Sequence, residues 1–321
     1  MKKIAHKYSD FSLSLGILLA GIFVLFLFEF IPISDFIWHI LFVVSILLTG
    51  IPHGALDHLV EKKHAELNGQ RFQLTTFLLN YIFRMILYGI VWWVSPTIGL
   101  IVFFVISGWH FGETDLQYIT GKNKILDWLM ATTYGLFVLA VLLLNHIEET
   151  AEILSYFPSP GWDTSLMKLE NTTKSLLQNT LGILFLSLFI FHLIFYKGNF
   201  ISYLYVFISL AVLVLLLVEL PLLVGFTVYF SWWHSLRTLH RIAHFLETQT
   251  AEIISIRQLA VQAIPFSLLA FLGIAGLVWW GGYSGQMSLV LVGLVIGIAL
   301  LTAPHLEVMG KLFRYPSQAN D

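Results

Sequence analysis

The sequence predicts an all-α fold, a polytopic integral membrane helical bundle of about ten transmembrane helices with both termini cytoplasmic. Three observations predict it. The 321 residues are 58% hydrophobic and 11% charged, against about 25% charged in soluble chains, so one water-facing core does not account for the chain. The 17 Lys+Arg and 19 Asp+Glu are pushed into short stretches between apolar runs of about twenty residues, the length that crosses a hydrocarbon core of about 30 Å at 1.5 Å per residue. Finally, Lys and Arg fall in alternate loops, as the positive-inside rule requires.

In chain order the apolar runs are 11–31, 36–58, 73–94, 97–119, 125–145, 176–196, 201–220, 222–247, 264–282 and 287–303. Met1-Lys2-Lys3 resembles the charged end of a signal peptide, but the run that follows is too long and lacks a small-residue cleavage site, so it reads as a retained first span. Pro96 and Pro221 sit in very short connections, where one helix stops and the next turns straight back. Cytoplasmic loops carry Lys2, Lys3 and Lys7, then Lys62, Lys63 and Arg71, Lys122 and Lys124, Lys197, Arg257, and Lys311 with Arg314. Opposite loops carry none, except the fifth connection, 146–175, where Lys168 and Lys174 stand beside several acids. That connection is the one sizeable extramembrane segment, with a turn at Ser159 to Trp162, and is too small to be a domain. A single transmembrane domain over 1–321 follows. The connection 248–262 alternates near helical period and is expected to lie along the interface.

Composition also excludes functions. A net charge of −2 without a basic block leaves no electrostatic footprint for nucleic acid. With no cysteine, disulfides, thiolate metal sites, iron–sulfur clusters and cysteine nucleophiles are out, and any metal must be held by nitrogen and oxygen. No phosphate loop, nucleophile elbow or HExxH helix is present, which argues against nucleotide and hydrolytic chemistry.

Ionisable residues inside spans are costly, so they form the short list of functional candidates. Here they are mostly histidines: His53, His58, His110, His234, His240, His244 and His305. The topology runs their four helices in one direction and places His53, His110, His234 and His240 within a band of roughly 10 Å of depth at 1.5 Å per residue. Imidazoles meeting there suit iron, copper or zinc, with redox-active iron preferred. Asp57, four residues after His53, and Glu113, three after His110, share the helical face of their histidine and are placed to accept its free N–H. Trp109, Phe111, Trp232 and Trp233 adjoin His110 and His234 and can line an apolar slot. The plainer reading is helix–helix hydrogen bonding for His53, His110 and His234, satisfied or interfacial side chains for His39, His146 and His192, and cytoplasmic flank charges for Arg237 and Arg241.

Ile51-Pro52-His53-Gly54-Ala55-Leu56-Asp57, Trp109-His110-Phe111-Gly112 with Asp115, Trp233-His234-Ser235-Leu236-Arg237 and Thr302-Ala303-Pro304-His305 together resemble the Brp/Blh family of membrane β-carotene 15,15′-dioxygenases. The resemblance covers nearly the whole chain. It implies an iron(II) oxygenase that uses O₂ to cleave the central double bond of β-carotene into two all-trans-retinal, often for a rhodopsin in the same cell, in the plasma membrane. It also implies His53, His110 and His234 as iron ligands, with Asp57, Glu113 and Asp115 tuning or orienting them. The family commonly has a further histidine four residues after the third of these, where this chain has Thr238. His240 is the nearest substitute, about 120° around a regular helix from His234, and needs a π-bulge to join. A three-histidine site completed by water or carboxylate is the other option. The alternatives from other classes are a transporter or proton relay without stoichiometric metal, and a lipid hydroxylase or desaturase, which needs denser histidine clusters than this chain has.

Overall fold

The computed structural model describes residues 2–119, 121, 123–157, 170–196, 199–247 and 255–314. The turn at Ser159 to Trp162, the loop lysines Lys122, Lys168 and Lys197, and the first part of the 248–262 segment lie outside them. No strand occurs among the described residues. The helices are α1 (Lys2–Phe30), α2 (Asp35–Ser45), α3 (Ile51–Ala55), α4 (Asp57–Leu67), α5 (Leu74–Val94), α6 (Pro96–Asp115), α7 (Lys124–Asn145), α8 (Ile147–Ser155), α9 (Asn171–Tyr196), α10 (Phe200–Glu219), α11 (Leu222–Phe226), α12 (Arg237–Glu247), α13 (Ile256–Ser284) and α14 (Met287–Arg314). Two π-helical segments, Ile46–Gly50 and Thr227–Leu236, interrupt this series.

Among the described residues, nine helices are long and apolar enough to cross a membrane. They answer to nine of the ten expected runs. The exception is 222–247, which the structure divides into α11, a ten-residue π-helix and α12. Its last 11 residues carry Arg237, His240, Arg241, His244 and Glu247, too polar for a span. The ends of α13 and α14 also differ from expectation. A capping box, in which the Ser255 hydroxyl accepts from the Gln258 N–H and the Gln258 side chain accepts from the Ser255 N–H, starts α13 eight residues before the expected run. The last run, expected to end at 303, extends through Pro304, which lies inside α14, to Arg314.

By backbone packing the chain forms two compact units. The first comprises residues up to Ser14, Val43–Gly99 and everything from Ser235 onward. In it α13 packs on α3, and α14 packs on α4, α5 and α13. Leu56, Val60, Ile242, Leu259, Val308 and Met309 form its buried cluster. The outward faces of α5 (Leu79, Phe83, Ile86) and α13 (Leu268, Leu269, Leu272) are apolar and exposed, the inside-out pattern of helices solvated by lipid chains.

The second unit comprises Leu15–Phe42 and Leu100–His234, with α7 packed on both α9 and α10. Val24, Trp38, Leu216, Leu220, Val224 and Val228 form a buried cluster there. Helices α6 and α7 touch backbone to backbone. A Cβ placed on Gly112 would lie 1.8 Å from the Ala131 carbonyl oxygen, and one on Gly135 would lie 1.8 Å from that of Gly108. Only glycine permits this approach, a small-residue contact of the kind that holds membrane helices together.

Candidate active site

Each unit brings together one pair of buried imidazoles. In the second unit His110 lies on α6 between Gly108 and Gly112, the two glycines at which α6 meets α7, and is 3% exposed. The tight crossing therefore fixes the helical turn from which this histidine projects. His234 comes from the π-helical segment. Residues in a π-helix advance by less than 100° each, so the segment shifts which side chains share a face, and such bulges recur at functional sites.

The rings of His110 and His234 stand 4.8 Å apart at 76°. Phe111 meets His234 edge-on at 4.9 Å, and Phe230 lies nearly parallel to it at 6.0 Å. Tyr229 packs edge-on against Phe111 at 5.2 Å. Asp115, at the end of α6, anchors this arrangement. It accepts hydrogen bonds from the Trp233 indole N–H at 2.9 Å, the Tyr134 hydroxyl at 3.1 Å and the Tyr229 hydroxyl at 3.3 Å. A buried carboxylate is tolerable only when several donors compensate its desolvation, and these three bind α6, α7 and the π-helix to one point. Asp115 thus positions the segment that carries His234.

In the first unit His53 follows the π-helical segment Ile46–Gly50, and its ring stands 5.1 Å from that of His305 at 85°. Asp57 pairs with His305: its two oxygens lie 2.8 and 3.0 Å from Nδ1 of that ring. The Tyr81 hydroxyl donates to Asp57 Oδ2 at 3.0 Å. The carboxylate–imidazole pair expected at Asp57 therefore forms, but with His305 in place of His53. Leu56 (φ −93, ψ 1) interrupts the helix between α3 and α4, so the four-residue register that would stack Asp57 on His53 is broken.

The remaining candidates are distributed as follows. His240 turns to the buried carboxylate of Asp10, with Nδ1 3.6 Å from Oδ1. His58 has its Nδ1 3.1 Å from the Ala55 carbonyl and its ring against Phe266. Thr238 is fully buried on α12. Arg237 and Arg241 are buried rather than flanking charges. Glu113 and Trp109 are half-buried. Trp232 packs against the Val24–Trp38–Leu216 cluster, and Trp233 is buried with its N–H on Asp115. Phe111 and Phe230 lie against the His234 ring. The histidines expected to be structural are so: His192 joins the Tyr203 hydroxyl at 2.5 Å to Asp127 at 3.1 Å, His39 reaches the Asp35 carbonyl, and His146 the Leu217 carbonyl.

Sequence reasoning passed over Phe230, Tyr229, Tyr81 and Tyr134. Phe226, Phe230 and His234 recur at four-residue spacing and stack in succession, a signal visible in the sequence. The partners Tyr81 and Tyr134 are brought in by tertiary packing and leave no local signal.

Among the described residues no group of three or more His, Cys, Asp or Glu is gathered closely enough to hold a metal ion. The two pairs are spaced as two ligands of one ion would be, a spacing that edge-to-face ring packing also gives. Two imidazoles that share an ion at about 2.1 Å per nitrogen, with angles of about 90–110°, hold their ring centroids roughly 4.5–5.3 Å apart. Both observed separations, 4.8 and 5.1 Å, fall in that window.

The sequence profile of the β-carotene 15,15′-dioxygenase family matches residues 44–313, which include both pairs. The chain belongs to that family. A relative from an uncultured marine bacterium (66A03), named beta-carotene 15,15'-dioxygenase, is 26% identical over 275 residues, covering 84% of this chain and 92% of the relative. No solved structure matches at a significant level. Membership makes this protein a dioxygenase of the carotenoid-cleaving class and agrees with its multi-pass membrane helices.

Proposed function

We propose that this family member cleaves the central 15,15′ double bond of β-carotene with O₂ to give two all-trans-retinal, using iron(II) bound through its buried histidine imidazoles, His53, His110 and His234. The reaction balances with one O₂, since one C=C bond is replaced by two C=O bonds. Bound iron supplies the redox chemistry that O₂ needs to react with a closed-shell polyene.

The observation that carries the reading is the His110–His234 pair walled by Phe111 and Phe230, in a segment matched by the family profile. β-Carotene is a rigid hydrocarbon roughly as long as a bilayer is thick, so taking it from lipid avoids transfer through water. It offers no polar handle, so the cleavage position must be set by where the polyene lies along apolar walls, a proximity effect. Phe111 and Phe230 offer it flat contact beside an imidazole. Asp115 acts at one remove, holding Trp233 and Tyr229 so that His234 keeps its orientation. The product, formed in the plasma membrane by a chain with cytoplasmic termini, is available to a retinal-binding rhodopsin in the same cell.

The test is expression in a carotene-producing host. The unaltered chain is expected to bleach the membranes and yield retinal, and His110→Ala or His234→Ala to leave the carotene colour with no retinal at equal protein level. Retinal at the normal rate in either variant, or purified active protein without iron, overturns the iron reading.

A further inference from the structure

We propose that His305 is a metal ligand of this enzyme, beside His53, and that Asp57 and Tyr81 are its positioning residues. The inference deepens the iron reading above and rests on it.

Four observations in the first unit carry it. The His305 ring lies beside that of His53 at 5.1 Å, a separation that two ligands of one ion can share. Both Asp57 oxygens lie within hydrogen-bond distance of Nδ1 of His305. A carboxylate accepts, so Nδ1 carries the proton and Nε2 carries the lone pair. This is the tautomer and the carboxylate–histidine arrangement found behind metal-bound imidazoles. Tyr81 donates to the same carboxylate, which holds it oriented toward His305. Last, α14 runs on through Pro304, so His305 is presented from a helix interior with 6% exposure, not from a fraying end. Thr238 has only a hydroxyl to offer, and His240 is directed to Asp10.

A purely structural clamp between α4, α5 and α14 would use the same hydrogen bonds, and metal binding separates the two. The full-length protein in lipid nanodiscs, stripped of metal and titrated with Co(II) without oxygen, is expected to bind about one ion with the visible bands of nitrogen ligation. His305→Ala is expected to raise the Kd at least tenfold, and Asp57→Asn, with its fold intact, about 10- to 100-fold. His305→Cys gives a second readout that needs no comparison of affinities. The chain has no cysteine of its own, so a thiolate-to-cobalt charge-transfer band in this variant comes from position 305 alone. The smaller side chain also fits the space that the imidazole leaves.

That band confirms the assignment. A His305→Ala with unchanged Kd and spectrum and only a lowered melting temperature overturns it while leaving the iron reading standing. Failure of the unaltered chain to bind either Co(II) or Fe(II) ends both.

Discussion

The two histidine pairs have nearly the same ring separation but opposite surroundings. His110 and His234 are enclosed by aromatic rings, and the charged group nearby, Asp115, is engaged with Trp233, Tyr134 and Tyr229. In the other pair His305 is bound directly to a carboxylate, which is held in turn by a tyrosine. One pair is shaped by packing and the other by hydrogen bonding. A hydrocarbon substrate needs the first kind of wall, and a basic, well-oriented ligand needs the second kind of support.

The contrast is broken most directly by removing imidazoles. His53→Ala, His110→Ala and His234→Ala are each expected to abolish retinal formation while leaving the protein in the membrane, as measured by product extraction beside an immunoblot. Wild-type activity in any one removes that residue from the ligand set. Next in size, Gly112→Ala must push α6 from α7, because its Cβ has no room beside the Ala131 carbonyl. We expect a loss of about 3 kcal/mol or more, seen as a lower melting temperature in detergent. Gly16→Ala, where a Cβ meets nothing within 4 Å, is the control and should be neutral or slightly stabilising.

Asp115→Asn keeps the shape of the carboxylate but not its charge or its full accepting capacity, at an expected cost of about 1–3 kcal/mol. Because Asp115 acts through the π-helix, kcat is expected to fall more than KM rises. An unchanged kcat would show that the network is mere scaffolding. The smallest effect belongs to Arg84→Gln, which removes a half-exposed ion pair with Glu307 at 2.6 Å and should cost about 0–1 kcal/mol with activity retained.

Nine spans were legible because hydropathy over about twenty residues depends on composition, not on partners. The tenth was not, since Phe226 to Trp233 is apolar while Arg237, His240, Arg241 and His244 are not, and an eye for apolar length joins the two. The last run, 287–303, falls short of α14 because apolar length marks only what crosses the hydrocarbon, while the helix continues through Pro304 to Arg314. His53, His110 and His234 were legible as ionisable residues at membrane depth. The pairing of Asp57 with His305, 248 residues away, was not, because local spacing assigns Asp57 to His53 and only the interruption at Leu56 undoes that assignment.

The π-helix from Thr227 to Leu236 also bears on how this chain can vary. A π-turn holds one residue more than an α-turn, so losing a single codon from Val228 to Ser231 would allow ordinary helix to form there. The shortened helix would be the more regular one, yet everything beyond the deletion would move along the helix axis and turn by some tens of degrees. His234 would then leave its place beside His110 in a protein that still inserts and folds. Alignments of such chains should accordingly tolerate substitution along this stretch far better than they tolerate gaps.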